Sequence, residues 1–310
     1  MGLLSSLFGG NNSSKDQQAK QEKKNFEILK YDGIRARNIG QLAYAIKCFE
    51  EATAIQEETE TLSLLVTSYT QANRLDDARH TLERMIALDG QQADTWISLA
   101  GVCYMQEDYK TMEEACRKAI ELDSQKPLAY YFAAKAAIGL HNDFMAIAML
   151  TKAILLKEDY TEAYQLRAET LWNMRQVKEA GEDIQVLLRM NPNDEQALLL
   201  DAEIQAATGN TDQAIGQFQQ ILSLNPFLEK AYFLLGELYL SLKETEKAIA
   251  VYDEAIDINP NFAQAYQERG RIKLLNGDKE GSVADMKKAL ELAPETEEKI
   301  NGQYNNFTDK

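Results

Sequence analysis

Pro192, Pro226, Pro260 and Pro294 follow one another at a constant spacing of 34 residues, and together they make up four of the five prolines in the chain. No single globular fold requires such a spacing. A period of this length marks a repeat architecture, in which each unit buries its apolar face only against its neighbours. The chain therefore has to be read one period at a time.

The stretch from Glu229 to Pro260, EKAYFLLGELYLSLKETEKAIAVYDEAIDINP, is the clearest copy. Its apolar and small residues form two stripes, Tyr232, Leu235, Gly236 and Tyr239 first, then Ala248, Ile249, Tyr252, Ala255 and Ile256. Both stripes have the spacing of one face of an α-helix. The polar run from Ser241 to Glu246 between them is too short for an element of its own. Asn259-Pro260 closes the second stripe because proline cannot continue a helix. The unit is predicted to be a helical hairpin, with Gly236 and Ala248 small where the two helices approach most closely.

A 34-residue hairpin with Leu-Gly at positions 7 and 8, an aromatic at 11, Ala at 20, an aromatic at 24, Ala at 27 and Pro at 32 resembles the tetratricopeptide repeat. The resemblance implies an all-α fold, a right-handed superhelix of hairpins whose first helices line a concave groove. Moving the frame along the chain tests it. Position 8 reads Gly33, Val66, Ala100, Ala134, Ala168, Ala202, Gly236 and Gly270, and position 20 reads Ala45, Ala78, Met112, Ala146, Ala180, Ala214, Ala248 and Ser282. The frame loosens toward the N-terminus, where Glu57, Gly90, Ser124 and Glu158 stand in place of the closing proline. Eight copies are expected, at 26–58, 59–92, 93–126, 127–160, 161–194, 195–228, 229–262 and 263–296.

The flanks differ from the array. Residues 1–25 group Leu3, Leu4, Leu7 and Phe8 ahead of a Gly/Asn/Ser linker, then a polar stretch that could extend the first helix backwards. They are expected to form a flexible tail. The apolar piece is too short to span a bilayer and lacks a basic leader region and a cleavage site, which points to the cytoplasm. Met1-Gly2 with Ser6 satisfies only the loose myristoylation pattern. Residues 297–310 are expected to be a tail or partial cap, with Ile300, Tyr304 and Phe307 placed to cover the last hairpin. If the ends stay open, they are the surfaces through which two arrays would pair as a homodimer.

With 49 acidic against 33 basic residues, the formal net charge is −16. That argues against nucleic acid as a partner, because phosphate needs a basic surface, and against an anionic membrane. The chemistry of catalysis is missing as well. The two histidines, His80 and His141, have no nucleophile or metal pattern beside them, and Cys48, Cys103 and Cys116 read as small buried hydrophobes in a reducing compartment. No cofactor, metal or catalytic residue is expected, and the chain is read as a non-enzyme.

What remains is surface. Positions 2, 5, 9 and 12 of each first helix form a stripe about 120° from the packing stripe, and the resemblance implies that this stripe faces the groove. It carries Ile97, Tyr131, Ile138, Trp172, Leu199 and Phe233 as apolar anchors, with Lys135 and Arg271 toward either side. Glu169, Glu203 and Glu237 share position 9 in three successive repeats, a ladder suited to a peptide that combines apolar anchors with Lys or Arg. Family members that clamp a chaperone's C-terminal carboxylate carry Asn and Lys in this groove. Here position 9 has no Asn, and glutamates occupy its centre. The expected function is that of an adaptor or scaffold binding a protein segment in the groove. The alternatives are a self-assembly module acting through its ends and tail, and a regulatory subunit of an enzyme encoded elsewhere.

Overall fold

The computed structural model describes residues 10–294, with side chains from Asp16 onward. The apolar cluster Leu3 to Phe8 and the proposed cap Ile300, Tyr304 and Phe307 lie outside the described residues. Among the described residues there are sixteen α-helices and no strand. They alternate as the two members of eight hairpins. The first four are α1 (Gly10–Asn38) with α2 (Leu42–Ile55), α3 (Thr59–Gln71) with α4 (Leu75–Leu88), α5 (Ala93–Met105) with α6 (Tyr109–Leu122), and α7 (Pro127–Gly139) with α8 (Asp143–Leu156). The last four are α9 (Thr161–Asn173) with α10 (Val177–Met190), α11 (Glu195–Ala207) with α12 (Thr211–Leu224), α13 (Glu229–Ser241) with α14 (Thr245–Ile258), and α15 (Ala263–Leu275) with α16 (Lys279–Leu292). α1 reaches back to Gly10, so the polar stretch ahead of the first repeat is helical and extends that helix. The chain divides into two compact units, one ending at Ala163 and the other beginning at Tyr164.

Each hairpin turns in the same way. One residue per turn adopts a left-handed backbone: Gly40, Asn73, Glu107, His141, Arg175, Gly209, Lys243 and Gly277. The next residue returns its N–H to a carbonyl five positions back, as from Arg74 to Tyr69 and from Asp278 to Lys273, which satisfies the orphan carbonyls of the first helix. Only three of the eight are glycine, the residue that adopts this conformation without steric cost. His141 is thereby a turn residue.

The turn between repeats does not depend on proline. Asp89, Asp123, Asn191, Asn225 and Asn259 each accept a hydrogen bond at Oδ1 from the backbone N–H two residues on. This side-chain turn survives where Gly90 and Ser124 replace proline, so the loosening of the sequence frame there does not change the geometry.

The contact inside each hairpin explains the small-residue columns. Ala45, Ala78, Met112, Ala146, Ala180, Ala214 and Ala248 are fully buried, and Ser282 nearly so. One turn further along the same helix, the side chain at position 24 fills the space that a glycine at position 8 leaves on the first helix. A methyl group on Gly33 would strike the Phe49 ring, and one on Gly236 would overlap the Tyr252 ring. Where position 8 is Val66 or Ala100, the facing residues are the smaller Leu82 and Cys116.

In the unit from Tyr164, several hairpins set a polar pair beside this contact. Arg167 donates from Nε and Nη2 to the Asp183 carboxylate at 2.8 and 2.6 Å. Arg269 grips Asp285 in the same bidentate way at 2.9 and 2.6 Å, and Lys273 adds a third donor at 2.9 Å. Asp201 instead accepts from the Gln205 and Gln217 amides. Asp183, Asp201 and Asp285 are all buried. Desolvation by itself would raise the Asp285 carboxyl, but the Arg269 and Lys273 hydrogen bonds outweigh it and hold its pKa below the usual carboxylate value.

This packing can be tested at two points. Gly236→Ala should destabilise the protein by about 1 to 3 kcal/mol through overpacking against Tyr252, read as a lower urea midpoint by circular dichroism. Because the folded pKa of Asp285 is depressed, its contribution is complete above the unfolded value near about 3.9 and is lost as pH falls through the folded value. Asp285→Ala should cost about 1 to 3 kcal/mol at pH 7, by removing the Lys273 partner and leaving Arg269 with only the exposed Asp253, 2.6 Å from its Nη1. Its urea midpoint should approach that of the wild type as the buffer is taken below pH 4.

Candidate functional site

In the unit ending at Ala163, the residues expected on the groove stripe do not all face outward. Ile97 is buried against Ala119 and Ala129, with Trp96, Ile120 and Phe132 around it. It is core rather than an open anchor, because this stretch of α5 is covered by the helices that follow. Tyr131 is half-buried, its ring centroid 5.2 Å from that of Tyr160 and 6.2 Å from that of Phe132. Burial pushes the Tyr160 phenol up to about 12. The Lys135 ammonium lies 3.7 Å above the centroid of the Tyr104 ring and 5.5 Å from that of Tyr131, an arrangement in which the ring faces take up the positive charge. Ile138 is half-buried on the same helix.

The unit from Tyr164 gathers its candidates more closely. Trp172 is half-buried near the end of α9 and borders two adjoining depressions. The larger, about 410 Å³, is lined by Gln165, Glu169, Trp172 and Asn173 of α9, by Gln196, Leu199, Leu200 and Glu203 of α11, and by Lys230 of α13. The smaller, about 270 Å³, is mostly apolar, with Ala206, Ala207, Phe218, Leu234 and Leu238 completing a wall around Trp172 and Glu203. Four of the expected residues, Glu169, Trp172, Leu199 and Glu203, thus meet at one place. Phe233, Glu237 and Arg271 stand outside both depressions.

The carboxylate ladder is not open along its length. Lys230 pairs with Glu203 at 2.8 Å, and Arg271 pairs with Glu237 and with Glu268, both at 2.7 Å. Lys230 and Arg271 come from the repeats that follow, whose first helices bring positions 2 and 9 within reach of the position 9 glutamate before them. Glu169 accepts a hydrogen bond from the Gln165 amide at 2.7 Å and has no cation beside it among the described residues. Of the three ladder carboxylates, Glu203 and Glu237 are paired with cations of the following repeats and Glu169 is not.

Sequence reasoning missed Lys230, Leu234 and Leu238. Leu234 and Leu238 fall at positions 6 and 10 of α13, between the two stripes that the periodicity separates, and Lys230 falls at position 2, on the groove stripe itself. The small pair Ala206-Ala207, facing a tryptophan one repeat earlier, was the available signal for a recess.

Among the described residues, no group of three or more His, Cys, Asp or Glu is placed to hold a metal ion, and no helix is long and apolar enough to cross a membrane. Cys48, Cys103 and Cys116 are free and buried. Burial pushes the Cys103 thiol up to about 11 and the Cys116 thiol up to about 12, away from the thiolate that nucleophilic chemistry requires. Ellman's reagent at pH 8 should therefore leave the native thiols unmodified and titrate all three once urea unfolds the chain. Rapid reaction of any one of them in the native state would contradict their burial.

Helical hairpins in tandem, with a recessed surface between successive first helices, define a repeat protein of the interaction class. Residues 229–262 and 263–296 match two tetratricopeptide repeat models, and residues 64–127 and 166–229 match a third. The matches together cover more than half of the chain, which belongs to the tetratricopeptide repeat family. Repeats of this kind serve in protein interaction. A 128-residue segment is 26% identical to Protein STIP1 homolog of Dictyostelium discoideum, a match covering 41% of this chain and only 22% of that relative. The crystal structure of YrrB, a tetratricopeptide protein with an unusual peptide-binding site, superposes with a TM-score of 0.51 at 26% identity, covering 59% of this chain and 95% of that one. The C-terminal part of a repeat protein from Cytophaga hutchinsonii shares the fold with a TM-score of 0.62 at 15% identity, covering 76% of this chain and 97% of that one.

Proposed function

We propose that this protein is an adaptor that binds a peptide segment of a partner protein on the face formed by α9, α11 and α13, in the unit from Tyr164. The observation that carries the proposal is the position of Trp172, shared by an apolar recess on one side and a polar one on the other. An aromatic ring at such a junction is the kind of residue that dominates binding energy, because it offers large area at small conformational cost. The smaller recess, with Ala206, Ala207, Leu234 and Leu238, suits one bulky aliphatic or aromatic side chain. Glu169, with no cation of its own, suits a lysine or arginine nearby on the same peptide. The peptide-binding site reported for YrrB supports the idea that an array of this type can work in this way. The role is one of binding without catalysis, and the three buried thiols suit a reducing cytoplasm.

Selection of peptides from a random library on the purified protein, followed by calorimetric titration, tests the proposal. Selected peptides should combine one large apolar residue with a nearby Lys or Arg. Trp172→Ala should weaken binding at least about tenfold, equivalent to about 1.4 kcal/mol. Glu169→Lys should reduce the preference for basic peptides, while Phe233→Ala, outside both recesses, should have little effect. Selected peptides whose affinity is indifferent to Trp172→Ala would refute the assignment.

A further inference from the structure

From α6 onward, two outward positions of the second helices are polar in every repeat but one. At the eighteenth position of the repeat stand Lys110, Lys178, Asp212, Glu246 and Glu280, but α8 has Phe144 there. At the twenty-ninth position stand Glu121, Arg189, Ser223, Asp257 and Glu291, but α8 has Leu155. Phe144 is 75% exposed and Leu155 70% exposed, the former the highest value of any large apolar side chain among the described residues. The opposite side of α8 carries Ala146, Leu150, Ala153 and Ile154, all buried in the hairpin core. α8 is therefore apolar on both its inner and outer faces, a pattern expected of a helix covered on both sides.

We propose that the outer face of α8 is the contact through which two copies of this chain pair as a two-fold dimer. The spacing along the helix supports a second copy as the occupant. Phe144, Ala148, Thr151 and Leu155 lie on one face, in the order large, small, small, large. Phe144 and Leu155 are eleven residues apart, about 16 Å along the axis. A half-turn about an axis through the midpoint sets Phe144 of one copy against Leu155 of the other and Ala148 against Thr151, so the small residues let the helices approach between two large contacts. A two-fold interface requires such self-complementarity, whereas an unrelated partner does not.

Charge favours the same occupant. Each copy carries a formal charge of −16, so a contact between copies must fall where like charges do not meet. α8 contains only Asp143 and Lys152 as charged residues, one of each sign. In the antiparallel arrangement Lys152 stands level with Ile147 of the other copy rather than with its own counterpart. The neighbouring α6 presents Lys110, Glu114, Lys118 and Glu121, a charged rim beside an apolar centre. A contact of one helix with one helix is small, so the dimer should be weak and dependent on concentration.

Sedimentation equilibrium of the full chain tests this pairing, with Phe144→Lys and Leu155→Glu as paired variants. Both residues are exposed, so helicity by circular dichroism should be unchanged, and the milder Phe144→Gln and Leu155→Gln are measured alongside. Wild type should double in mass as concentration rises, and each charged variant alone should remain monomeric. An equimolar mixture of the two charged variants should recover the dimer, because the introduced lysine of one then meets the introduced glutamate of the other across the two-fold axis, while the retained Leu155 of the first still meets the retained Phe144 of the second. A wild type that stays monomeric to its solubility limit overturns the proposal, as do variants that still dimerise alone. A mixture that stays monomeric overturns the antiparallel arrangement, and recovery of a foreign protein on α8 by monomeric wild type assigns the face to another partner.

Discussion

Everything in this molecule depends on how closely two helices approach inside each hairpin. The first helix contributes a glycine, alanine or valine at position 8 of the repeat and the second an alanine, methionine or serine at position 20, and the residue at position 24 is buried beside them. In two hairpins the fit excludes even a methyl group, at Gly33 against Phe49 and at Gly236 against Tyr252. Once that separation is fixed, the left-handed turn residue and the Asx turn between repeats set the path of the chain into the next hairpin. The apolar area each hairpin leaves uncovered is then buried by its neighbour, and dispersion and hydrophobic burial accumulate repeat by repeat.

The surface chemistry is what this frame leaves over. A first helix that spends one stripe on its own hairpin and another on the next has few directions left in which a side chain can point freely. Trp172, Glu169 and Leu199 occupy such directions, and Ala206 and Ala207 leave a recess beside them. The charges of the same face are largely satisfied from within, Glu203 by Lys230 and Glu237 by Arg271. Exposed pairs of this kind add little stability, about 1 kcal/mol or less, but they do decide which carboxylate is left for a partner.

The hairpins were legible in the sequence because their determinants are local and periodic. A contact between positions 8 and 20 repeats every 34 residues, so a column of small side chains betrays it without any knowledge of the fold. The surface was legible only in part. Ile97 has the spacing of a groove residue, yet the neighbouring repeat covers it, and the spacing within one helix carries no information about that neighbour. The Arg271 to Glu237 pair joins equivalent positions in successive repeats and could have been read from the columns. The Lys230 to Glu203 pair joins unlike positions and needed the geometry. The polar pairs Arg167 with Asp183 and Arg269 with Asp285 break the apolar pattern at positions 7 and 23, and a charge at two core positions of the same hairpin was a signal that they meet. The apolar outer face of α8 went unread, although a second helix with as few polar residues as DFMAIAMLTKAILL was a signal of it.

The central functional claim is that a peptide lies beside Trp172, and placing a photo-reactive residue at Ala207, which is exposed at the rim of the apolar recess, tests it most directly. The same residue at Gln219, on the outward side of α12, serves as the reference position. With a random peptide library as the probe, the account predicts crosslinks at position 207 enriched in peptides that carry a large apolar residue near a lysine or arginine, lost on Trp172→Ala, and no enrichment at position 219. Equal labelling at the two positions, or labelling at 207 that survives Trp172→Ala, would contradict it.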